Sequence, residues 1–86
     1  ELERGIMATE ITALIVDDLD DNRLLFRSIL EALGVKCLEA KTGTEGVDTV
    51  EASIKLGTKL SIIFLDMMMP EMGGVEAAKH IRAAGY

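Results

Sequence analysis

Two apolar runs of this chain lead straight into aspartate, and that pairing limits the folds open to it more than any other feature. Thr12-Ala13-Leu14-Ile15-Val16 ends in Asp17-Asp18, and Leu60-Ser61-Ile62-Ile63-Phe64-Leu65 ends in Asp66. Short apolar runs bounded by polar residues read as strands buried on both faces, as in parallel sheets. Between them, Leu25, Ile29 and Leu33 recur at helical spacing with Phe26 and Leu30 alongside. Asp20 or Asp21 is placed to cap that helix and Gly34 to stop it. Val35 to Ala40 reads as a second, shorter strand. Thr42 and Glu45 have capping-box spacing, and Val47, Val50 and Ile54 mark the inner stripe of a second helix ending near Gly57. After Asp66, Pro70 and the pair Gly73-Gly74 interrupt regular structure. Val75, Ala78 and Ile81 then form a third helical stripe, with Gly85 as its stop.

Strand and helix therefore alternate three times. Such alternation predicts an α/β fold, with parallel strands joined by right-handed crossovers and helices on both faces. Residues 1–10 mix charges with Gly5 and show no period. They read as a lead-in or linker, a short helix or a cloning remnant, and Met7 can serve as a start. Residues 11–86 form the domain.

Eighty-six residues make one small domain, and 49% hydrophobic residues set it apart from a disordered tail. The net charge of −6, with no run of Lys or Arg, argues against direct contact with nucleic acid. Cys37 is the only cysteine, which excludes an internal disulfide and a cysteine-based zinc site. No apolar run has the length of a membrane span and no signal-peptide pattern opens the chain, so a cytoplasmic location is the default.

If the first and third strands are neighbours, Asp17, Asp18 and Asp66 face each other across a strand spacing of roughly 5 Å. They then stand outside the carboxyl ends of the strands, where open parallel sheets bind ligands. Three carboxylates that close repel one another, and a bound Mg²⁺, which prefers oxygen ligands, removes the repulsion. Zinc fits less well, because His80 and Cys37 lie far from the cluster in sequence. A cation beside a carboxylate also suits phosphoryl transfer, since a carboxylate can attack phosphorus while the cation neutralises the equatorial oxygens. Asp66, between a rigid strand and an irregular loop, is placed to react; Asp17 and Asp18 are placed as metal ligands. Asp20 and Asp21 read as capping or solvated groups, the methionines 67–69 as filler, His80 as a surface residue and Cys37 as a strand residue.

Leu14-Ile15-Val16-Asp17-Asp18 with Asn22-Arg23, taken together with Phe64-Leu65-Asp66-Met67-Met68-Met69-Pro70-Glu71-Met72, resembles receiver domains of two-component signalling. The nearest type is the receiver attached to hybrid histidine kinases, and Thr42-Gly43 with Glu45-Gly46 is similar to the family's turn into its second helix. The resemblance covers residues 11–86. It implies a flavodoxin-like open parallel sheet, here truncated to three strands in the order 2-1-3 with three helices. It also implies Mg²⁺-dependent phosphorylation of Asp66 by a histidine kinase or phosphotransfer protein. Asp18 would be the more direct metal ligand, Asp17 would act through water, and the Met68 backbone carbonyl would complete the protein's share of the coordination.

Two departures stand out. Gly73 occupies a position where the family usually has Asp. The chain also stops at Tyr86, short of the two further strand–helix units that carry the family's Ser or Thr and its Lys. Strand three would then be an exposed edge, and the expectation is a homo-oligomer or a complementary chain paired through it. Three functions compete: a phosphoacceptor switch, a truncated fragment acting only as a structural or assembly module, and a metal-dependent phosphatase. The last usually has a second aspartate two residues beyond the first, where this chain has Met68.

Overall fold

The computed structural model describes residues 11–66 and 72–86. Strand β1 (Thr12–Val16) is followed by helix α1 (Asp20–Ala32), β2 (Lys36–Ala40), α2 (Gly43–Leu56), β3 (Ile62–Leu65) and α3 (Gly74–Ala83). The three strands form one parallel sheet in the order β2-β1-β3. The expected flavodoxin-like layout is therefore present. The lead-in at residues 1–10 and most of the Met67–Gly74 interruption lie outside the described residues.

The sheet has two unlike faces. Leu14 and Val16 of β1, Leu38 and Ala40 of β2, and Ile63 and Leu65 of β3 point to one side. There they meet Val47 and Val50 of α2 and Ala77 and Ile81 of α3. This is the core, and Leu14, Val16 and Val50 are sealed from solvent within it. The other side carries α1, whose Phe26 ring stacks on Phe64 of β3 with centroids 5.8 Å apart.

Helix ends follow local chemistry. The Thr42 hydroxyl accepts from the Glu45 amide at 3.0 Å and so caps α2. The Glu45 carboxylate accepts from the Lys41 amide at 2.9 Å, one residue earlier than a capping box would close. Gly57 ends α2 with φ +75°, a left-handed conformation that a side chain would resist. The cap of α1 differs from expectation: Leu19 is the cap residue and makes no side-chain bond. Asp20 and Asp21 sit inside the first turn instead, where negative charge suits the positive end of the helix dipole.

The helical stripes have the expected period but a shifted phase. On α2 the residues turned inward are Gly46, Val47, Val50 and Ser53, while Ile54 is exposed. On α3 they are Gly74, Ala77 and Ile81, with Val75 exposed. Small residues win these positions because they let a helix lie close to the sheet. A β-carbon at Gly46 would stand only 2.9 Å from a methyl of buried Val16. Gly46→Val should therefore destabilise the domain by about 2 kcal/mol through overpacking. In a thermal melt that corresponds to a midpoint lower by about 10 °C, and an unchanged midpoint would show that α2 does not pack there.

On α1, Leu25, Ile29 and Leu33 are all exposed. Their spacing marks the helix, which is present, but the stripe they form does not face the core. Among the described residues α1 is the one helix on that face of the sheet, and only the edge of its apolar surface is covered.

Candidate functional site

The carboxyl edge of the sheet gathers the acidic residues because the ladder of β1 continues past the regular strand on both sides. The Asp17 amide donates to the Ala40 carbonyl at 3.1 Å, and the Asp66 amide donates to the Val16 carbonyl at 3.0 Å. Val16 is in register with Leu65, so the aspartates that follow emerge side by side. One carboxylate oxygen each from Asp17, Asp18 and Asp66 lies within 4.8 Å of the others. Asp17 is buried, Asp66 half-buried and Asp18 exposed. The three sequence-predicted carboxylates are thus brought together. Met68, whose carbonyl was expected to join them, lies outside the described residues.

The two members of the acidic pair are held differently. Asp17 accepts from the Leu19 amide at 2.9 Å through one oxygen and from the Asn22 side-chain amide at 3.2 Å through the other. Its carboxylate is committed to the loop it belongs to. Asp18 extends toward solvent beside it. A cavity lined by Val16, Asp17, Phe26, Phe64, Leu65 and Asp66 opens next to the cluster.

The donor set fits a hard cation. Two oxygens on one octahedral Mg²⁺ stand about 3–4 Å apart at the usual metal–oxygen distance. Carboxylates alone, with no imidazole or thiolate among them, also suit Mg²⁺ better than zinc.

Asn22 and Arg23 follow the acidic pair in sequence with no role evident from their positions alone. Both turn out to brace the acidic loop. Arg23 is 5% exposed; its Nη1 donates to the Asp17 carbonyl at 2.7 Å and its Nε to Glu39 of β2 at 3.1 Å. Its Nη2 pairs with Asp20. Burial opposes the Arg23 charge, but the hydrogen bonds to Asp20 and Glu39 outweigh it, and its pKa lies above the ordinary guanidinium value. Arg27 is likewise raised by its bonds to Glu31 and Glu39. Burial pushes the Cys37 thiol up, with Glu31 and Glu39 adding to the effect against Arg27. The available signal was spacing: Asn22 and Arg23 fall in the first helical turns after the acidic pair, on the side that faces back toward it.

An open parallel sheet in the order 2-1-3, with an acidic cluster at its carboxyl edge, defines a receiver-type α/β domain. Residues 13–86 match the response regulator receiver domain family, and the chain belongs to that family. It is 35% identical over 81 residues to Two-component response regulator 24 of Arabidopsis thaliana, covering 94% of this chain and 55% of that protein. It superposes with a TM-score of 0.78 and 29% identity on the receiver domain of the histidine kinase CKI1 from Arabidopsis thaliana complexed with Mg²⁺ and BeF₃⁻. That match covers 86% of this chain and 56% of the other. A TM-score of 0.72 and 35% identity relate it to a co-crystal structure of the Saccharomyces cerevisiae phosphotransfer protein Ypd1 and the receiver domain of Ssk1, over 86% of this chain and 48% of that one. The chain thus spans about half the length of these relatives. No helix among the described residues is long and apolar enough to cross a membrane.

Proposed function

We propose that the chain is a phosphoacceptor of two-component or phosphorelay signalling, with Asp66 as the acceptor. The observation that carries this reading is the meeting of three carboxylates, from two strand ends, beside an open cavity. Asp18 and Asp66 would hold Mg²⁺ through their carboxylate oxygens. Asp17, already engaged by Leu19 and Asn22, would act on it indirectly. The family resemblance would add the Met68 backbone carbonyl, which lies outside the described residues. When bound, Mg²⁺ neutralises charge on the phosphoryl oxygens.

The transfer itself belongs to Asp66. Its carboxylate oxygen forms a bond to phosphorus as the bond from phosphorus to the donor's imidazole nitrogen breaks, and that nitrogen keeps the electron pair. A histidine kinase or a histidine phosphotransfer protein is the donor, a reading supported by the relatives: one is a sensor histidine kinase of Helicobacter pylori, another a receiver crystallised with a phosphotransfer protein. The test is intact-mass spectrometry after incubation with acetyl phosphate and Mg²⁺. An adduct of one phosphoryl group that disappears with a chelator supports the proposal, and a chain that never reacts leaves the assembly role.

The second reading, an assembly module, has its own observation. Among the described residues β3 pairs only with β1, and its sequence Ile62-Ile63-Phe64-Leu65 carries no charge. The opposite edge, β2, carries Lys36 and Glu39, which discourage edge-to-edge pairing. A groove of about 280 Å³ runs along β3, lined by Leu60, Ile63, Leu65, Ile81 and Tyr86 among others. This edge should pair with a second copy of the chain, so light scattering at micromolar concentration should give at least twice the monomer mass. A monodisperse monomer would sink that part of the proposal.

A further inference from the structure

We propose that Arg23 is a positioning residue whose clamp on the Asp17 carbonyl sets the direction in which Asp18 offers its carboxylate to a cation. The inference rests on reading the acidic cluster as a Mg²⁺ site and deepens it. The guanidinium joins three segments: the loop after β1 through the Asp17 carbonyl, the first turn of α1 through Asp20, and β2 through Glu39. The Asp17 carbonyl belongs to the peptide unit that links Asp17 to Asp18. That unit is planar, so fixing its oxygen fixes the plane from which the Asp18 side chain departs. Asp17 itself is secured independently by Leu19 and Asn22. Arg23 is thus the group in direct contact with the backbone on the Asp18 side of the pair.

Electrostatics alone would give Arg23 the opposite effect. A fixed cation beside a cation site weakens it, and here Asp20 and Glu39 offset the guanidinium charge. Removing Arg23 would then tighten Mg²⁺ binding if only charge mattered, and loosen it if positioning matters. A purely structural role would lower the melting temperature and leave the affinity of the folded chain unchanged. The sign of the change therefore separates the three roles.

The experiment is a Mg²⁺ titration of the ¹⁵N-labelled 86-residue chain, followed through the amide shifts of Asp18 and Leu19, for the parent, Arg23→Lys, Arg23→Met and Arg27→Gln. Lysine keeps the charge but cannot hold three acceptors at once in a fixed fork. Arg23→Lys and Arg23→Met should each weaken Mg²⁺ binding by about tenfold, the usual effect of losing a group that orients a metal ligand. Arg27→Gln removes the same charge from the same Glu39 without touching the Asp17 carbonyl, and should stay within about twofold of the parent. If Arg23→Met does not fold, Arg23→Lys carries the test. Equal or tighter binding by the folded Arg23 variants, in a parent that binds Mg²⁺, overturns the positioning role alone. A parent whose amides do not respond to Mg²⁺ overturns the cation reading of the cluster, and this inference with it.

Discussion

Asp66→Asn should abolish phosphoryl transfer from acetyl phosphate while leaving the fold intact. The substitution keeps the shape of the side chain and the backbone bond from residue 66 to the Val16 carbonyl. What it removes is the anionic oxygen that attacks phosphorus, and a neutral amide is a far weaker nucleophile. The expected result is a complete loss of adduct by intact mass from a chain that still melts cooperatively. The control separates the acceptor from its neighbours: Asp18→Asn weakens the hold on Mg²⁺ yet leaves the Asp66 carboxylate in place, so some adduct should form at high Mg²⁺. An adduct surviving on Asp66→Asn would move the acceptor to Asp17 or Asp18, whose oxygens lie within 4.8 Å.

The second large effect concerns Leu14. It is 0% exposed and central in the sheet, in register with Leu38 on one side and Ile63 on the other. Its side chain points into the core shared with α2 and α3. Leu14→Ala removes buried methyl groups and leaves a cavity that a rigid central strand cannot collapse around, at a cost of about 2–5 kcal/mol. A chain of this size has a total stability of about 4–13 kcal/mol. Urea denaturation should therefore show a midpoint reduced by about 15% at the least, and a partly unfolded population at 37 °C is the expected extreme. A loss below about 1 kcal/mol would mean that Leu14 is not the centre of the core.

β1 was legible because burial on both faces writes itself as an uninterrupted apolar run; the same pattern located β3, which is however only half-buried, with Ile62 exposed. The acidic site was legible for a related reason: polar residues at the end of such a run have nowhere to go but the sheet's carboxyl edge. Strand order came with the family resemblance, since no local signal in 86 residues says which strands are neighbours. Helix phase was harder to read. Periodicity marks where large apolar residues recur, yet contact with the sheet is made at Gly46, Ser53, Gly74 and Ala77, whose small size permits it. On α1, Leu25 and Ile29 recur as an inner stripe should, and their exposure depends on what else occupies that face. Arg23 illustrates the last gap. A charged residue in the first turns of a helix reads as solvated until its partners, Glu39 on β2 and the Asp17 carbonyl, are placed around it.

The continuation of the β1 ladder through Asp17 and Asp66 also bears on time. Amides held between central strands open only in excursions that approach global unfolding, whereas surface segments open far more often. The acidic cluster therefore sits where Asp17 and Asp66 extend the β1 ladder, which should open less often than the surface segments around it. A chemical event there meets a frame that does not yield, and any change of shape that follows must be carried by segments outside that ladder. The exposed outer face of α1 is one such place, joined to the cluster through Arg23. Chemistry and motion would then be assigned to different parts of the same small domain, linked through the side chains of Asn22 and Arg23.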